Sequence, residues 1–495
     1  MKRPGLLVRA AVGLVSAGAS AFLSTSDAFA AGPPPLTNNG YNIEFFQGPL
    51  IAPVRVTGLA GAYSGIAEGV EGTAVNAAAP AVREPFSLRA IDYDLTASIS
   101  LPGSYAGTDF DNRGTSNPAQ NQSGQASRFS EFLYLNLGAQ IQYDLFGASI
   151  TGDLQQFNLS SASSDKSSLT LRIGRFHALG AYGVFNDQLV VGAGLRILAL
   201  SITENSGFLA GSVLTQAGTA PELGMLIKPD NEPWRIGATI RAPVSAVGIG
   251  GGSTTTDSAG VTRAGDFIIP SKVVQPWELE IGVALQAGPR PLNPTWLNPD
   301  VQEKSIRLEI SQERSNRQAR NADILRHTPP KYYASQKAEL DREEIAVERI
   351  EDQHLEAESK RLLAQRRARY ANWPREKLLF LASAVVTGAD SNAIAVESFL
   401  DQANEPFGRH VTVTPRFGVE SEPVVDWVKV RSGIYIEPSR FEGGTARSHF
   451  TAGGDFKLFT GDPFGLFSST TWRASLMVDA APRYFNYGIG IGAWH

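Results

Sequence analysis

The stretch IDYDLTASISL, residues 91–101, carries apolar side chains at its odd positions and polar side chains at its even positions. Because successive side chains of a β-strand point to opposite faces, this pattern predicts a strand with one apolar and one polar face. The same alternation recurs at residues 133–145, 277–286, 411–420 and 485–494. Such strands suit the wall of a membrane barrel with a polar interior, but the strands of a soluble β-sandwich alternate in the same way.

The connectors between these stretches distinguish the two folds. Turn residues divide the chain into about fourteen predicted strands, at roughly 86–101, 131–144, 148–160, 168–185, 188–203, 219–228, 234–243, 274–287, 377–388, 409–420, 427–437, 447–460, 469–480 and 484–494. Short turns near 146–147, 186–187 and 229–231 alternate with long polar loops such as 102–128 and 244–271. Bacterial outer-membrane barrels show this rhythm, so we predict an all-β fold, a transmembrane antiparallel β-barrel of about fourteen strands in the outer membrane.

The beginning of the sequence predicts export. Lys2, Arg3 and Arg9 accompany an apolar stretch at 10–23, and the tripeptide ending at Ala30 has the small-x-small pattern of a cleavage site. We therefore predict a secretory signal peptide over residues 1–30, cleaved after Ala30. No later run of about 18 apolar residues exists, so the sequence predicts no transmembrane helix.

The composition argues against several classes of function. The 495 residues include no cysteine, which removes disulfide scaffolds and thiol chemistry, and a formal net charge of −5 argues against a nucleic-acid partner. The 6 histidines lack zinc-site spacing, and no Gly-x-Ser-x-Gly elbow is present. Residues 109–114 resemble the start of a calcium loop, but Gln120 stands where that loop needs a glutamate. We expect no enzyme activity, cofactor or metal; an outer-membrane lipase is the remaining enzymatic alternative.

One long insertion, residues 289–376, interrupts the alternation. Residues 335–370 are rich in Glu, Arg, Lys, Gln and Ala, a helical composition with opposite charges three or four positions apart. Counting strands from a periplasmic amino terminus places the insertion in the periplasm, provided that residues 305–311 begin a helix rather than form a strand. Residues 300–370 are then either a solvated helical hairpin or a docking arm for a periplasmic protein or another copy of the barrel.

Charged residues on the polar strand faces should point into the barrel. By their place in the alternation these are Asp94, Asp144, Arg196, Glu278, Glu280, Arg416 and Glu420. We expect them to pair across the lumen and to hold a segment that lies in it. Alternatively, one of the arginines meets a substrate carboxylate, which a planar guanidinium suits, but the sequence does not indicate which one.

The segment before the first strand, residues 31–85, alternates poorly and is rich in Gly, Ala and Pro. Small residues allow close packing of a backbone inside a cavity. The segment contains the motifs Gly58-x-x-Gly61-Ala62-Tyr63-x-x-Ile-Ala-Glu and Asn76-Ala-Ala-Ala-Pro80-Ala81. In these motifs the sequence resembles the amino-terminal hatch of the FadL/TodX type of outer-membrane transporters for long-chain fatty acids and other hydrophobic compounds.

This resemblance implies a barrel closed by an amino-terminal hatch, with strands 1–8 within 86–288 and strands 9–14 within 377–495. It also implies passive uptake of hydrophobic small molecules, which pass the hatch and leave beside a kinked third strand. The matching hatch residues are Gly58, Gly61, Ala62, Tyr63, Asn76, Pro80 and Ala81, and Gly152 is the kink candidate. The helical insertion has no counterpart in the typical family member. Two alternatives therefore stay open: a non-transporting barrel that anchors or shuttles protein partners through residues 300–370, and a general diffusion porin.

Overall fold

The computed structural model describes residues 33–45, 49–83, 91–102, 109–114, 125–127, 133–161, 168–204, 211–250, 254–264, 267–296, 298–374, 377–400, 402–425, 427–461 and 470–493. The predicted signal peptide lies outside the described residues.

The wall is a closed sheet of 14 antiparallel strands. In chain order they are β1 (Ile91–Ser100), β2 (Leu133–Tyr143), β3 (Phe146–Ser161), β4 (Ser168–Val184), β5 (Leu189–Glu204), β6 (Gly211–Ile227), β7 (Trp234–Arg241), β8 (Glu278–Ala287), β9 (Leu378–Thr387), β10 (Thr412–Val424), β11 (Val428–Glu437), β12 (Arg447–Gly461), β13 (Thr470–Ala481) and β14 (Tyr484–Ala493). Each strand pairs with its neighbours in sequence, and β1 pairs with β14 as well as with β2. The predicted all-β barrel is confirmed.

The outward-facing side chains of this wall are apolar. Leu137, Ile150, Leu195, Leu223 and Ile281 are each exposed by 48% to 66%. Exposed aromatic residues flank this belt, with Tyr143, Phe146, Tyr182, Phe185 and Trp427 at one end and Trp277, Phe450 and Tyr487 at the other. An even-numbered antiparallel barrel with an apolar belt between aromatic girdles is the architecture of bacterial outer-membrane proteins.

Apart from the insertion after β8 and the two-residue turn at 482–483, the two rims of the barrel differ in the length of their connectors. At the short-turn rim, residues 144–145 connect β2 to β3 and residues 185–188 connect β4 to β5. Asp144 and the three residues from Phe185 to Asp187 have positive φ angles of 53° to 67°, a conformation in which Asn and Asp are enriched. At the opposite, long-loop rim, long connectors follow β1, β7 and β9. The first turn lies two residues before its predicted place, so Asp144 is a turn residue and not a wall residue that faces the lumen.

Two prolines interrupt the wall near the long-loop rim. The ladder between β7 and β8 skips Pro243 and Pro276, which lie opposite each other in register. Neither proline has an N–H to donate, so strand pairing stops at this level. Arg241 and Val244 are both buried although they are three positions apart, so the inward and outward alternation shifts by one residue across the break.

A short strand, Asn42–Glu44, is inserted at the long-loop rim. Beyond the prolines the wall continues as Val244–Gly250 and Lys272–Gln275. Asn42–Glu44 pairs in parallel with Lys272–Gln275 on one side and with Ala393–Ile394 on the other. The amino-terminal part of the chain therefore contributes an extra strand at this rim.

The remaining elements are short, apart from two long helices. Gln125–Ser127 pairs with β3, and a separate sheet contains Thr254–Thr256, Thr262–Ala264 and Phe267–Ile268. The helices are α1 (Val54–Gly58), α2 (Gly69–Gly72), α3 (Pro299–His327), α4 (Tyr333–Ala371) and α5 (Val396–Leu400), with a 3-10 turn at Ala79–Ala81. Among the described residues, no helix has both the length and the apolar character needed to cross a membrane.

The insertion between β8 and β9 is a hairpin of α3 and α4. Residues 305–311 lie within α3, as predicted, so the number of strands stays even. Arg317 Nη1 and Arg314 Nε donate hydrogen bonds to the carboxylate of Glu351 over 2.7 and 2.6 Å and so join the two helices. These bonds, the one from Arg317 foremost, lower the pKa of Glu351.

Candidate functional site

Residues 49–83 lie inside the barrel, and we call them the lumen segment. Between residues 51 and 83 every residue is buried except Glu68 and Ala74. The backbone turns at Ala60, Gly61 and Ala67, which have positive φ angles of 54°, 73° and 47°. Small side chains let such a turning backbone follow the wall closely. All seven predicted hatch residues fall within this segment.

The first glycines of the motif pack against β10, β11 and β12. A Cβ atom on Gly58 would lie 2.9 Å from Cδ of Arg431, and one on Gly61 would lie 3.0 Å from Nη1 of Arg416. The carbonyl oxygen of Gly58 accepts a hydrogen bond from Thr451 Oγ1 at 3.1 Å. Wall side chains thus occupy the space that a larger residue would need at both positions.

Ala62 and Tyr63 lie in the interior of the lumen segment. Ala62 is 1% exposed and Tyr63 is fully buried. The Tyr63 hydroxyl donates a hydrogen bond to the carbonyl oxygen of Glu68 at 2.9 Å, and the guanidinium of Arg55 lies 5.2 Å from the ring centroid. Both contacts of Tyr63 are within the segment, so they fix its fold.

Asn76 links the lumen segment to β6 and β7. Its Nδ2 donates hydrogen bonds to the carbonyl oxygens of Ser64 and Met225 at 3.0 and 3.1 Å. Its Oδ1 accepts hydrogen bonds from Thr239 Oγ1 and the Ala78 N–H at 3.1 and 2.9 Å. The side chain of Asn76 therefore ties two parts of the segment to two wall strands at once.

Pro80 and Ala81 place the end of the lumen segment at the short-turn rim. The Pro80 carbonyl oxygen accepts a hydrogen bond from Gln142 Nε2 at 2.8 Å. A Cβ atom on Gly147 would come within 1.8 Å of that oxygen. Ala81 is 3% exposed. The seven predicted residues thus lie in one segment and pack on the wall or within the segment, and their role in a hatch stays a prediction.

Gly152, the kink candidate, lies in β3 in an unbroken ladder. The pairing of β3 with β2 and with β4 runs through Gly152 without a shift in register. A Cβ atom on Gly152 would lie 2.8 Å from the ring of Phe176, and one on Gly174 would lie 2.9 Å from the same ring. The aromatic ring that covers both positions is a sufficient reason for glycine there, and the proposed exit beside β3 stays a prediction.

An ion-pair network fastens the lumen segment to β10–β13. Arg55 Nη2 lies 3.0 Å from Glu420 Oε1, and Arg473 Nη1 lies 2.8 Å from Asp455 Oδ2. The network consists of Arg55 and Glu71 from the lumen segment and Glu420, Arg431, Asp455 and Arg473 from the wall. These six side chains are at most 5% exposed. Buried charges of this kind depend on their partners for stability, so the network holds the segment in place.

The lumen charges predicted from the alternation lie inside the barrel, with the exception of Asp144. Asp94 Oδ2 accepts a hydrogen bond from the Val70 N–H at 2.6 Å, and Glu420 belongs to the ion-pair network. The other four, Arg196, Glu278, Glu280 and Arg416, line a common cavity.

This cavity, of about 120 Å³, lies between the lumen segment and the wall. The lining residues from the amino-terminal part of the chain are mainly apolar: Phe45, Leu50, Ile51, Ala52 and Val75. The wall side is charged and includes Asp153, Arg175, His177, Arg196, Arg241, Glu278, Glu280 and Arg416. Apolar and charged surfaces thus face the same space. Arg175, His177 and Arg241 were not among the predicted lumen charges, although the alternation in β4 and β7 marks them as inward-facing.

Two of the arginines at this cavity bind backbone carbonyl groups. Arg196 donates hydrogen bonds to the carbonyl oxygens of Ala242 and Pro276, the latter at 2.7 Å, where the facing prolines interrupt the ladder. Arg241 Nη2 donates to the carbonyl oxygen of Val75 at 2.7 Å. These two arginines therefore support the wall and the lumen segment.

The other two arginines have weaker contacts. Arg175 Nη2 lies 3.9 Å from Asp153 Oδ2, and Arg416 Nη1 lies 3.7 Å from Glu280 Oε1. Both distances are longer than a hydrogen bond. Arg175 and Arg416 are therefore the cavity arginines that are best able to contact a bound molecule.

A second buried cluster joins the lumen segment to β11–β13. His449 Nδ1 lies 2.9 Å from Asp479 Oδ1, and His449 Nε2 lies 2.7 Å from Glu437 Oε2. The Tyr435 hydroxyl donates to Asp479 Oδ2 at 2.7 Å and accepts from the Leu50 N–H at 3.0 Å. This cluster positions Leu50 on the apolar side of the cavity.

The acidic loop at 109–114 forms a turn of its own. The Asp109 carboxylate accepts hydrogen bonds from the backbone N–H groups of Arg113 and Gly114, each at 2.8 Å. Burial raises the pKa of Asp111 to about 7, against the effect of Arg113. In the part of the chain that the structure describes, no group of three or more acidic or histidine side chains is arranged to hold a metal ion.

No protein-family model matches the sequence, and no curated protein matches it. Several solved structures are similar. A Pseudomonas aeruginosa FadL homologue has 10% identity and a TM-score of 0.46, with 92% of this chain and 99% of that chain covered. The Pseudomonas putida toluene transporter TodX has 11% identity and a TM-score of 0.44, with the same coverage of 92% and 99%. The CymD monoaromatic hydrocarbon channel has 10% identity and a TM-score of 0.43, with 90% and 96% covered. Over most of its length this protein is similar in structure to FadL- and TodX-type channels.

Proposed function

We propose that this protein is an outer-membrane channel for the passive uptake of small hydrophobic or amphiphilic molecules, such as fatty acids. The cavity between the lumen segment and the wall carries this proposal, because its two sides match the two parts of an amphiphile. Burial of an apolar body against residues such as Leu50 and Ile51 contributes about 0.8 kcal/mol per methylene. Movement down a concentration gradient needs no cofactor.

The lumen segment would act as the hatch of this channel. It is tied to β10–β13 by the ion-pair network and to β6 and β7 by Asn76. A molecule that leaves the cavity toward the short-turn rim must pass beside this segment or displace part of it. Uptake should therefore depend on the freedom of the lumen segment to move.

A disulfide lock tests this dependence. The chain contains no cysteine, so an introduced pair can react only with itself. A Cβ atom on Gly282 would lie 3.1 Å from Cβ of Ser64, so the two backbone segments must move apart slightly to reach the range of about 3.5–4.5 Å found in disulfides. The variant Ser64→Cys/Gly282→Cys joins the lumen segment to β8. The control Ser98→Cys/Gly490→Cys joins β1 to β14 at the same 3.1 Å and leaves the segment free.

Uptake is measured with the full-length protein in liposomes, with dodecanoate, toluene and glucose as probes. We expect wild type and the oxidised control to admit dodecanoate or toluene faster than protein-free liposomes do and to exclude glucose. The oxidised lock should block uptake, and a reductant should restore it. Equal entry of glucose would identify a diffusion porin, and entry of every probe at the rate of protein-free liposomes would refute the channel.

The helical hairpin favours a second candidate function, the anchoring or shuttling of a periplasmic protein. Val301, Leu308, Ile345 and Ile350 are exposed by 53% to 64% on α3 and α4. Exposed apolar residues on a charged hairpin are suited to contact with another protein. Deletion of residues 300–370 separates the two functions. If the deletion variant loses a cross-linked partner but keeps uptake, the anchoring or shuttling function is supported. If it loses uptake but keeps the same cross-linked partners, transport is supported.

A further inference from the structure

Arg175 has unused hydrogen-bonding capacity at the cavity. Its side chain is only 16% exposed. Its Nε and Nη2 atoms are buried and have no hydrogen-bond acceptor among the described residues. The carboxylate of Asp153 lies 3.9 Å away and accepts hydrogen bonds from the Tyr134 hydroxyl and from Asn136 Nδ2 instead. A buried cation in this state is less stable than one with an acceptor at bonding distance.

Arg416 adds a second cation with spare donors to the same cavity. Its Nε has no acceptor among the described residues. Its Nη1 lies 3.4 Å from the carbonyl oxygen of Gly61 and 3.7 Å from Glu280 Oε1. By contrast, Arg196 and Arg241 donate to backbone carbonyl oxygens at 2.7 Å. The spare donors of the cavity are therefore concentrated on Arg175 and Arg416.

The size and lining of the cavity restrict what these arginines can hold. Its volume of about 120 Å³ is comparable to that of an engineered cavity of about 150 Å³ that binds benzene. A single ring or an equally short apolar body fits this space, whereas a long alkyl chain extends beyond it. Leu50, Ile51 and Val385 supply apolar contacts. A carboxylate is the head group that matches the planar, forked donors of a guanidinium.

We propose that this cavity binds small carboxylic acids with a short or single-ring apolar body, and that Arg175 binds the carboxylate with Arg416 as the supporting cation. This inference rests on the proposed uptake function and narrows its substrate class. It assigns to Arg175 a role that none of the predicted hatch residues has, because none of those seven residues lines the cavity.

Calorimetric titration of the purified full-length protein in detergent tests the proposal. The probes are sodium benzoate and its uncharged analogue benzyl alcohol. We expect wild type to bind benzoate at least about tenfold more tightly than benzyl alcohol, and Arg175→Gln to remove that difference. The matched control is Arg172→Gln on the same strand, since Arg172 is exposed and bonds to Gln156 Oε1 at 2.9 Å. It should stay within about twofold of wild type.

Two results would overturn the proposal: equal affinity of wild type for benzoate and benzyl alcohol, or unchanged benzoate affinity in Arg175→Gln. If Arg175→Gln does not fold, Arg175→Lys is used to test the contact between Arg175 and the carboxylate. It keeps the charge but not the forked donors, so benzoate should bind at least about threefold more weakly. Toluene uptake into liposomes separates this inference from the channel itself. Protein-dependent entry of toluene without selective benzoate binding refutes only the inference, and entry of every probe at the rate of protein-free liposomes refutes the proposed function as well.

Discussion

The lumen contains two groups of arginines that differ in how they are neutralised. In the ion-pair network, Arg55, Arg431 and Arg473 each have a carboxylate oxygen within 3.0 Å. At the cavity, the nearest carboxylate oxygens to Arg175 and Arg416 lie at 3.9 and 3.7 Å. Tightly paired buried charges hold two parts of a chain together, whereas loosely paired ones remain available to a molecule that binds and leaves. Arginine thus stabilises the packing of the lumen segment in one half of the lumen and is a candidate for ligand recognition in the other half.

The largest expected effect is in the ion-pair network. Arg55→Gln leaves Glu420 buried with less positive charge around it, and we expect a loss of about 3–5 kcal/mol in the free energy of unfolding. Urea unfolding measures the total effect, and hydrogen exchange of residues 54–72 locates it in the lumen segment. Arg409→Gln removes an exposed pair with Glu442 at 3.8 Å and should change stability by less than about 0.5 kcal/mol. Equal effects of the two substitutions would show that the network does not hold the segment.

Close packing at the short-turn rim gives the next largest effect. Gly147→Ala places a methyl group where the Pro80 carbonyl oxygen lies, at 1.8 Å, so the lumen segment must shift at a cost of about 1–3 kcal/mol. Gly248→Ala is the control, because a Cβ atom there meets nothing within 4 Å. Faster hydrogen exchange of residues 74–83 should appear only in Gly147→Ala. A rim that tolerates both substitutions equally would mean that contact with Pro80 does not position the segment.

The ion pairs of Glu351 between α3 and α4 lie closer to water than the ion-pair network of the lumen. They show how much stability a more exposed ion pair contributes. Glu351→Gln removes the charge that Arg314 and Arg317 share, with an expected loss of about 1 kcal/mol. Hydrogen exchange should increase in both α3 and α4. Glu356→Gln, within the exposed intrahelical pair with Lys360, should leave exchange nearly unchanged, and equal exchange in the two variants would contradict a role for Glu351 in joining the helices.

The hairpin should also lose stability in acid. Hydrogen bonds lower the folded-state pKa of Glu351, so its contribution is present above its unfolded pKa of about 4.3 and is lost as the pH falls through the folded pKa. The free energy of hairpin opening, obtained from exchange rates corrected for intrinsic pH dependence, should therefore decrease below about pH 4 in wild type. The decrease should be smaller in Glu351→Gln. An identical pH profile in the two proteins would exclude Glu351 as the group responsible.

The smallest expected effect has the opposite sign. Arg175→Gln removes a buried cation whose Nε and Nη2 have no acceptor among the described residues, so we expect the free energy of unfolding to stay equal or to rise by up to about 1 kcal/mol. Urea unfolding beside Arg55→Gln gives the direct comparison. A loss of unfolding free energy as large as that of Arg55→Gln would show that Arg175 stabilises the fold in the same way as Arg55.

Strand alternation predicted most of the barrel because the wall separates an apolar surface from a polar lumen at nearly every residue. The prediction was least accurate in β6, which begins at Gly211 rather than at 219. Residues 211–218 are mostly small or polar and resemble a loop in sequence. Alternation also placed Arg196, Glu278, Glu280 and Arg416 on the inner face, where the structure has them.

The arrangement of the cavity could not be predicted in this way. Alternation indicates the face on which a side chain lies but not its height in the barrel or its distance from a partner. Whether Arg175 or Arg196 has spare donors depends on the proline break, which exposes the carbonyl oxygens that Arg196 binds. Pro243 and Pro276 were visible in the sequence as residues unsuited to a strand interior, and they were the available signal for this irregularity.

The position of the short strand Asn42–Glu44 has a consequence for the order of folding. Its partners, Lys272–Gln275 and Ala393–Ile394, lie more than 200 residues later in the sequence, and the ion-pair network joins the lumen segment to β10–β13. Contacts between such distant parts of a chain form slowly because a large loop must close first. The amino-terminal segment therefore cannot complete its contacts until the last strands are in place. We expect the barrel to close around this segment, so that enclosure of the segment and pairing of β1 with β14 are one late, rate-limiting event.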